Sequence, residues 1–193
     1  MPENDLVIAE ELKKPMALGE VFVKSGLFLD VKSQAQAVVK IMAGAELGLT
    51  PFQSMSGIYL VSGRLALQSN VMSGLVRKSK RYDFQVTKID DEGCTIDFFD
   101  ISDKENKVKL GTSSFGKADA AKSGKINQET YKAYPRNMYY ARALSNGARW
   151  YCPDAIMGYH SYEEMLDTEE IIPAKTTVQI DVNAEVKDDT TKA

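Results

Sequence analysis

Cysteine and histidine are scarce in this chain of 193 residues, which contains two cysteines and one histidine. Cys94, Cys152 and His160 are too few for a disulfide framework or for a zinc site built from cysteine and histidine. No stretch reaches the roughly 18 consecutive apolar residues of a membrane helix, and the polar, acidic N-terminus lacks the apolar segment of a signal peptide. We therefore expect a cytoplasmic protein with free thiols.

The sequence signatures of common enzymes are also missing. There is no G-x-x-x-x-G-K-[ST] phosphate loop, no G-x-G-x-x-G dinucleotide fingerprint and no G-x-S-x-G nucleophile turn. His160 and Ser161 are too isolated to predict a catalytic triad. The sequence therefore predicts neither a catalytic site nor a cofactor. One enzymatic alternative stays open, a metal-dependent nuclease that uses the acidic residues between Asp90 and Asp100.

Charge is unevenly distributed along the chain, whose formal net charge is −3. The segment from Glu163 to the end has nine acidic residues and three lysines, a net charge of −6, so the part before it carries +3. Within that part, residues 64–149 have 16 basic and 10 acidic residues, a net charge of +6. A basic centre followed by an acidic tail suggests a polyanionic partner. The alternative is a solvated surface of uneven charge.

The pattern of apolar residues predicts an α+β fold. Caps, stops and the 3.6-residue period predict helices over 15–25, 31–47, 69–79, 117–122 and 135–151, with a short helical turn over 50–55. Alternation predicts a hairpin of 58–61 and 65–67 about Ser62-Gly63, and a three-stranded meander of 82–89, 94–99 and 107–115. The order α-α-ββ-α-βββ-α-α lacks βαβ alternation, which favours an antiparallel sheet packed with helices. We expect one domain over 1–167 and a disordered acidic tail over 168–193.

The predicted helix Pro135–Tyr151 concentrates residues suited to binding an anion. At 100° per residue, Arg142, Asn146 and Arg149 share one side, with Met138, Tyr139 and Ser145 around them. The predicted packing face consists of Tyr140, Ala143, Leu144, Gly147, Ala148, Trp150 and Tyr151. Arg136 lies in the first turn, where a cation opposes the helix dipole, and an anionic ligand would offset that cost. The alternative is an exposed face whose arginines pair with carboxylates.

A second basic group, Arg77, Lys78, Lys80 and Arg81, ends the predicted helix 69–79. Cations also stabilise a helix C-terminus through the dipole alone, so this group has a structural explanation beside the ligand-binding one. Arg64, just past the hairpin turn, either joins these basic groups or is an ordinary turn residue.

Three stretches between Ala35 and Asp167 resemble the RecT and lambda Beta family of phage single-strand annealing proteins. Ala45–Pro51 is similar to the family's helix-ending Gly-Leu-x-Pro turn, and Leu65–Arg81 to a strand and helix with an Arg-rich end. The most specific likeness is Tyr134-Pro-Arg-Asn-Met138 followed by Arg142 and Arg149. It resembles the family's His-Pro-Lys/Arg-x-Met helix, whose later basic residues face DNA. Ser69-Asn70 stand where family members often have a lysine.

The resemblance implies a phage recombination protein that binds single-stranded DNA and anneals complementary strands without ATP, in the cytoplasm of a bacterial host. It implies homo-oligomers, either rings or helical filaments, with a phage exonuclease or a host single-strand-binding protein as further partners. By position it assigns phosphate contacts to Arg136, Arg142 and Arg149. The whole predicted DNA-binding set is Arg64, Arg77, Lys78, Arg81, Arg136, Arg142, Asn146 and Arg149. A non-enzymatic alternative is an adaptor whose basic groove binds an acidic protein.

Overall fold

A computed structural model describes residues 3–168, with side chains from 12 to 166, so the predicted tail lies outside the described residues from 169 onward. The helices are α1 (Glu3–Lys24), α2 (Gln34–Glu46), α3 (Pro51–Gly57), α4 (Ser69–Lys78), α5 (Lys117–Lys122), α6 (Glu129–Ala133), α7 (Pro135–Tyr151), α8 (Pro153–Ile156) and α9 (Tyr162–Thr168). The strands are β1 (Ile58–Val61), β2 (Arg64–Leu67), β3 (Tyr82–Ile89), β4 (Gly93–Asp100), β5 (Val108–Gly116) and β6 (His160–Ser161).

The fold is α+β, as the sequence predicts, but the described strands form two open three-stranded sheets rather than one antiparallel sheet. In the first sheet, of order β1-β2-β6, β1 and β2 form the predicted antiparallel hairpin and β6 pairs in parallel with β2. In the second, β3, β4 and β5 form the predicted antiparallel meander. The parallel strand and the helices α6, α8 and α9 were not predicted. These elements have two to seven residues, too few to show a period.

Local signals explain why most element bounds match the prediction. Ser33 and Gln36 form a capping box at the start of α2, and Thr50 and Gln53 form one at the start of α3. The hairpin turn places Ser62 at a φ of 49° and Gly63 at 76°. A two-residue turn between right-twisted strands requires positive φ at both central positions.

α1 starts earlier than predicted, whereas α4 starts at the predicted residue but is capped from outside its own segment. α1 starts at Glu3 and contains Pro15 in its interior, whereas the sequence rule places proline in the first turn. α4 starts at Ser69 without a side-chain cap from its own segment. Instead the Glu163 carboxylate accepts hydrogen bonds from the Ser69 backbone N–H, at 3.3 Å, and from its hydroxyl, at 2.8 Å. Because Glu163 is distant from Ser69 in the sequence, no local sequence signal predicts this cap.

The main hydrophobic core lies between α7, α4 and the meander sheet. α7 packs across β4 and β5, and its small residues let the helix approach the sheet closely. At Gly147 the approach is so close that an added Cβ would lie 2.0 Å from Cε2 of Phe98. Cys94 and Cys152 are buried in this core as free thiols, as the sequence predicts. The core fixes α7 as the platform for the predicted site.

Two smaller apolar clusters flank the main core. One joins α1, α2 and α3 through Phe22, Ala37, Ile41 and Met55. The other contains Val61, Ala66 and Met165 and attaches α9 to the hairpin. Among the helices of the described part, none is long and apolar enough to cross a membrane.

A fully buried lysine, Lys40, joins the N-terminal helices to the hairpin. Its ammonium donates to Asp30 Oδ2 at 2.8 Å and to the Met55 carbonyl at 2.9 Å. The same Asp30 oxygen accepts from the Leu60 backbone N–H at 3.2 Å. Burial lowers the pKa of Lys40, and the Asp30 carboxylate opposes that effect.

Candidate functional site

The surface of α7 differs from the single-faced helix that the 100° projection predicts. Tyr139 and Ser145, expected on the open side, are buried. Trp150, expected in the packing face, is 60% exposed. The reason is that α7 is covered on more than one side: the meander sheet contacts one face, and Tyr131 of α6 lies against Tyr139 with ring centroids 6.2 Å apart.

Arg142, Asn146 and Arg149 do lie together, as predicted, but they are not open to solvent. Arg149 Nη2 donates to the Asn146 side-chain oxygen at 2.8 Å. Arg142 Nε donates to the Tyr131 hydroxyl at 3.3 Å. The side chains of the two arginines are 13% and 24% exposed. We call Arg142, Asn146 and Arg149 the basic cluster.

A carboxylate from α9 occupies the centre of the basic cluster. Oε1 of Glu164 lies 2.6 Å from Arg149 Nη2 and 3.8 Å from Arg142 Nη1. His160 also reaches this point, with its Nδ1 2.8 Å from Arg149 Nη1. Glu164 is itself 8% exposed. In this state the arginines therefore pair with a carboxylate, which is the alternative that the sequence left open.

Arg136 lies apart from the basic cluster, in the first turn of α7, and its side chain is exposed. Its Nε donates to Asp91 Oδ1 at 2.8 Å. This hydrogen bond and the charge of Asp91 raise the pKa of Arg136 above its ordinary value. Asp91 belongs to the turn between β3 and β4, so the first-turn cation has an acidic partner on the sheet.

The second predicted basic group is used in three different ways. The Arg77 guanidinium lies 4.6 Å from the centroid of the Phe84 ring. Lys78 donates to the carbonyl of Gly48, where α2 ends. Arg81 pairs with two carboxylates, with Nε 3.5 Å from Asp100 and Nη1 3.2 Å from Asp154. The structure thus gives this group local structural contacts around the end of α4.

Arg64 is exposed on β2 and forms no ion pair with any described residue. It stands in the same sheet as β6, whose His160 pairs with Ala66 in the strand register. On this sheet, Arg64 is therefore a predicted DNA-binding residue with an exposed charge that no described carboxylate neutralises.

The acidic residues behind the nuclease alternative turn toward separate partners. Asp97 binds Lys109 at 2.7 Å and the Thr112 hydroxyl at 2.6 Å, which lowers its pKa. Asp90 pairs with Lys88 at 3.2 Å. No group of three or more histidine, cysteine or acidic residues able to hold a metal occurs in the described part of the chain. The geometry gives no support to a metal site at these acids.

Glu164 is the site residue that the sequence reasoning missed, because it was counted with the acidic tail. Its signal is nevertheless present in Ser161-Tyr-Glu-Glu164, which has the S-x-x-E form of a capping box. In the structure the Ser161 N–H donates to Glu164 Oε2 at 3.1 Å, and the Glu164 N–H donates to the Ser161 hydroxyl at 3.2 Å. The capping box predicts where α9 starts, while the contact with the arginines depends on the tertiary fold.

Comparison with known proteins gives no assignment, since no protein-family model, no curated protein and no solved structure matches the chain significantly.

Proposed function

We propose that the protein binds single-stranded DNA and anneals complementary strands without ATP, in phage homologous recombination. The resemblance of the segments around Leu65–Arg81 and Tyr134–Arg149 to the RecT and lambda Beta family supports this function. The observation that carries it is the convergence of two arginines of α7 on one oxyanion. Arginine donors that converge on one oxyanion are also suited to holding a nucleic acid by its phosphates.

The basic cluster has the chemistry of a phosphate site. Arg142 and Arg149 direct Nη1 and Nη2 at a single carboxylate oxygen, 3.8 Å and 2.6 Å away. Asn146 holds the Arg149 guanidinium through a 2.8 Å hydrogen bond. A phosphate oxygen accepts from the same donors as a carboxylate oxygen, and arginine forms its strongest pairs with both. The cluster therefore suits a phosphate group as well as a carboxylate.

Annealing requires no catalytic residue in this proposal. Contacts to the sugar-phosphate backbone are independent of sequence and leave the base edges free for a second strand. Pairing then supplies the driving free energy, about 1.4 kcal/mol per base-pair step. The protein's role is to hold one strand extended and to concentrate the other through its basic surface.

Assembly into a ring or filament is part of the proposal, because long strands need many subunits in register. The described surface of the N-terminal half exposes several large apolar side chains, among them Val21, Leu27, Leu29 and Phe52. Exposed apolar patches of this kind serve protein–protein contacts. They support self-association through α1, α3 and the loop after α1.

The test is annealing of two complementary labelled oligonucleotides without ATP, at increasing salt. We expect acceleration that fades as salt rises, because counterion release drives the binding. Trp150 gives a direct binding signal, since it is the only tryptophan of the chain and is 60% exposed next to Arg149. Tight binding without faster annealing would reduce the role to passive strand coating, while no binding at low salt would refute the proposal and leave the acidic-protein adaptor.

Site variants test the assignment of the basic cluster. We expect Arg142→Gln and Arg149→Gln each to weaken binding and to reduce the salt slope by about 0.7 per lost phosphate contact. Lys24→Gln is the matched control, because it removes one positive charge from α1, where Lys24 pairs with Glu20. If all three variants lose affinity equally, the basic cluster is not the site and only the general charge matters.

A further inference from the structure

We infer that Glu164 is an internal competitor of the DNA phosphate, and that the segment His160–Leu166 is a latch that opens when single-stranded DNA binds. The inference rests on the proposed function, because it assigns a regulation to the same basic cluster. The observation behind it is that a carboxylate already lies at the centre of the basic cluster. A carboxylate that contacts both arginines, that of Glu164, comes from a short segment near the end of the described chain.

The contact between Glu164 and Arg149 leaves part of the arginine unused. Arg149 binds Oε1 of Glu164 through Nη2 alone, at 2.6 Å. Its Nε–H is buried and has no acceptor among the described residues. Arginine binds a phosphate best in a two-pronged geometry that uses Nε together with an Nη donor. A phosphate can therefore offer Arg149 one more hydrogen bond than Glu164 does.

The segment that carries Glu164 is weakly attached to the rest of the fold. β6 pairs with β2 over two residues, His160 and Ser161. α9 is held by the small cluster of Val61, Ala66 and Met165, which is separate from the main core, by the stacking of Tyr162 on Tyr59, and by the hydrogen bonds from Ser69 to Glu163. Elements with few buried apolar contacts open at lower free energy than core elements. The latch can therefore move while α7 stays on its sheet.

The consequence is a competition between two anions for one set of donors. In the closed state the Glu164 carboxylate pairs with Arg142 and Arg149. In the open state both arginines face a DNA phosphate. The observed affinity for DNA is then the intrinsic affinity reduced by the population of the open state. Weakening the Glu164 contact should raise that population and hence the affinity.

Glu164→Gln is a sharp test because glutamine also fits the last position of a capping box. Its side-chain oxygen can still accept from the Ser161 N–H, so the start of α9 is preserved while the charge opposite the arginines is removed. We expect this variant to bind a labelled oligothymidylate at least about fivefold more tightly than the natural chain, which corresponds to a fivefold rise in the population of the open state.

The matched control is Glu129→Gln. It removes one exposed negative charge at the start of α6, the helix whose Tyr131 accepts from Arg142, and it lies outside the latch. We expect its affinity for the oligothymidylate to stay close to that of the natural chain. If Glu129→Gln and Glu164→Gln raise the affinity equally, general charge explains the effect and the latch is refuted.

Hydrogen exchange of the natural chain gives a second measurement, which does not depend on any substitution. Saturating oligothymidylate should speed exchange in residues 160–166, including the Ser161 amide, and leave the meander sheet unchanged.

The outcomes separate the two proposals. Binding by the natural chain with no gain in Glu164→Gln and no change in exchange overturns the latch alone. No binding by either the natural chain or Glu164→Gln overturns the proposed function, and the latch with it.

Discussion

Replacing Gly147 by alanine should destabilise the protein, although alanine is the better helix former. The Cβ of an alanine would lie 2.0 Å from Cε2 and 2.4 Å from Cζ of Phe98. That ring cannot retreat easily, because it is fully buried and packs against Tyr151 and Phe84 at centroid distances of 5.6 and 6.1 Å. α7 must therefore lift from the sheet or the core must repack.

The magnitude follows from two opposing contributions. Alanine gains about 1 kcal/mol over glycine inside a helix. Overpacking of a rigid core costs about 3 kcal/mol at the upper end of its usual range. The net change at Gly147 is then a loss of about 2 kcal/mol in the free energy of unfolding. For a protein of this size, that lowers Tm by roughly 4 to 8 °C.

Gly74→Ala is the matched control for this prediction. Gly74 lies inside α4, is exposed, and has no heavy atom within 4 Å of an added Cβ. It should keep the whole helix gain of about 1 kcal/mol and raise Tm by roughly 2 to 4 °C. Urea titrations and thermal melts followed by circular dichroism measure both variants. A Gly147→Ala protein as stable as Gly74→Ala would refute the packing of α7 on Phe98 described above.

Two further predictions concern buried groups. Asp30→Asn removes the counter-charge of the fully buried Lys40 and should cost about 3 to 5 kcal/mol in urea titrations, whereas replacing both partners, Asp30→Asn together with Lys40→Met, should cost far less because neither charge is left unpaired. Burial lowers the pKa of Lys40 in the folded state, so in the alkaline range the unfolded chain binds more protons than the folded chain does, and stability rises with pH. This rise should be larger in Asp30→Asn, which lacks the carboxylate that opposes the effect of burial, so the stability lost through Asp30→Asn should shrink as pH increases. A stability loss that grows with pH would contradict this. Burial raises the pKa of Cys94 to about 11 and that of Cys152 to about 12, so both thiols should resist a disulfide reagent at neutral pH until urea unfolds the chain. Fast labelling of the folded protein would show that the core around them is open.

Most of the fold could be predicted because its elements carry local signals. The capping residues Ser33 and Thr50, the Ser62-Gly63 turn and the alternation in the meander each act within a few residues of the element they define. The elements that could not be predicted from the sequence are too short to show such a pattern. β6 has two residues, and its pairing with β2 depends on a chain reversal that no local rule encodes.

The candidate site could be predicted only in part for the same reason. The helical period correctly brought Arg142, Asn146 and Arg149 together, because they lie on one helix. It could not show that Glu164 would cover them, since that contact joins α7 to a later segment. The projection also failed at Tyr139 and Trp150, because it assumes one buried face and α7 has more than one. Periodicity therefore locates side chains around a helix axis but does not identify their partners.

The position of Glu164 along the chain also gives the protein a direction of folding. Synthesis runs from the N-terminus, so Arg142 and Arg149 leave the ribosome before the carboxylate that pairs with them. Glu164 is the fifteenth residue after Arg149, which corresponds to a delay on the order of a second at usual translation rates. During that interval α7 can already settle on β4 and β5, whereas α4 still lacks the cap from Glu163. The last translated part of the described chain thus completes two earlier elements at once, and premature termination before it would leave both unfinished.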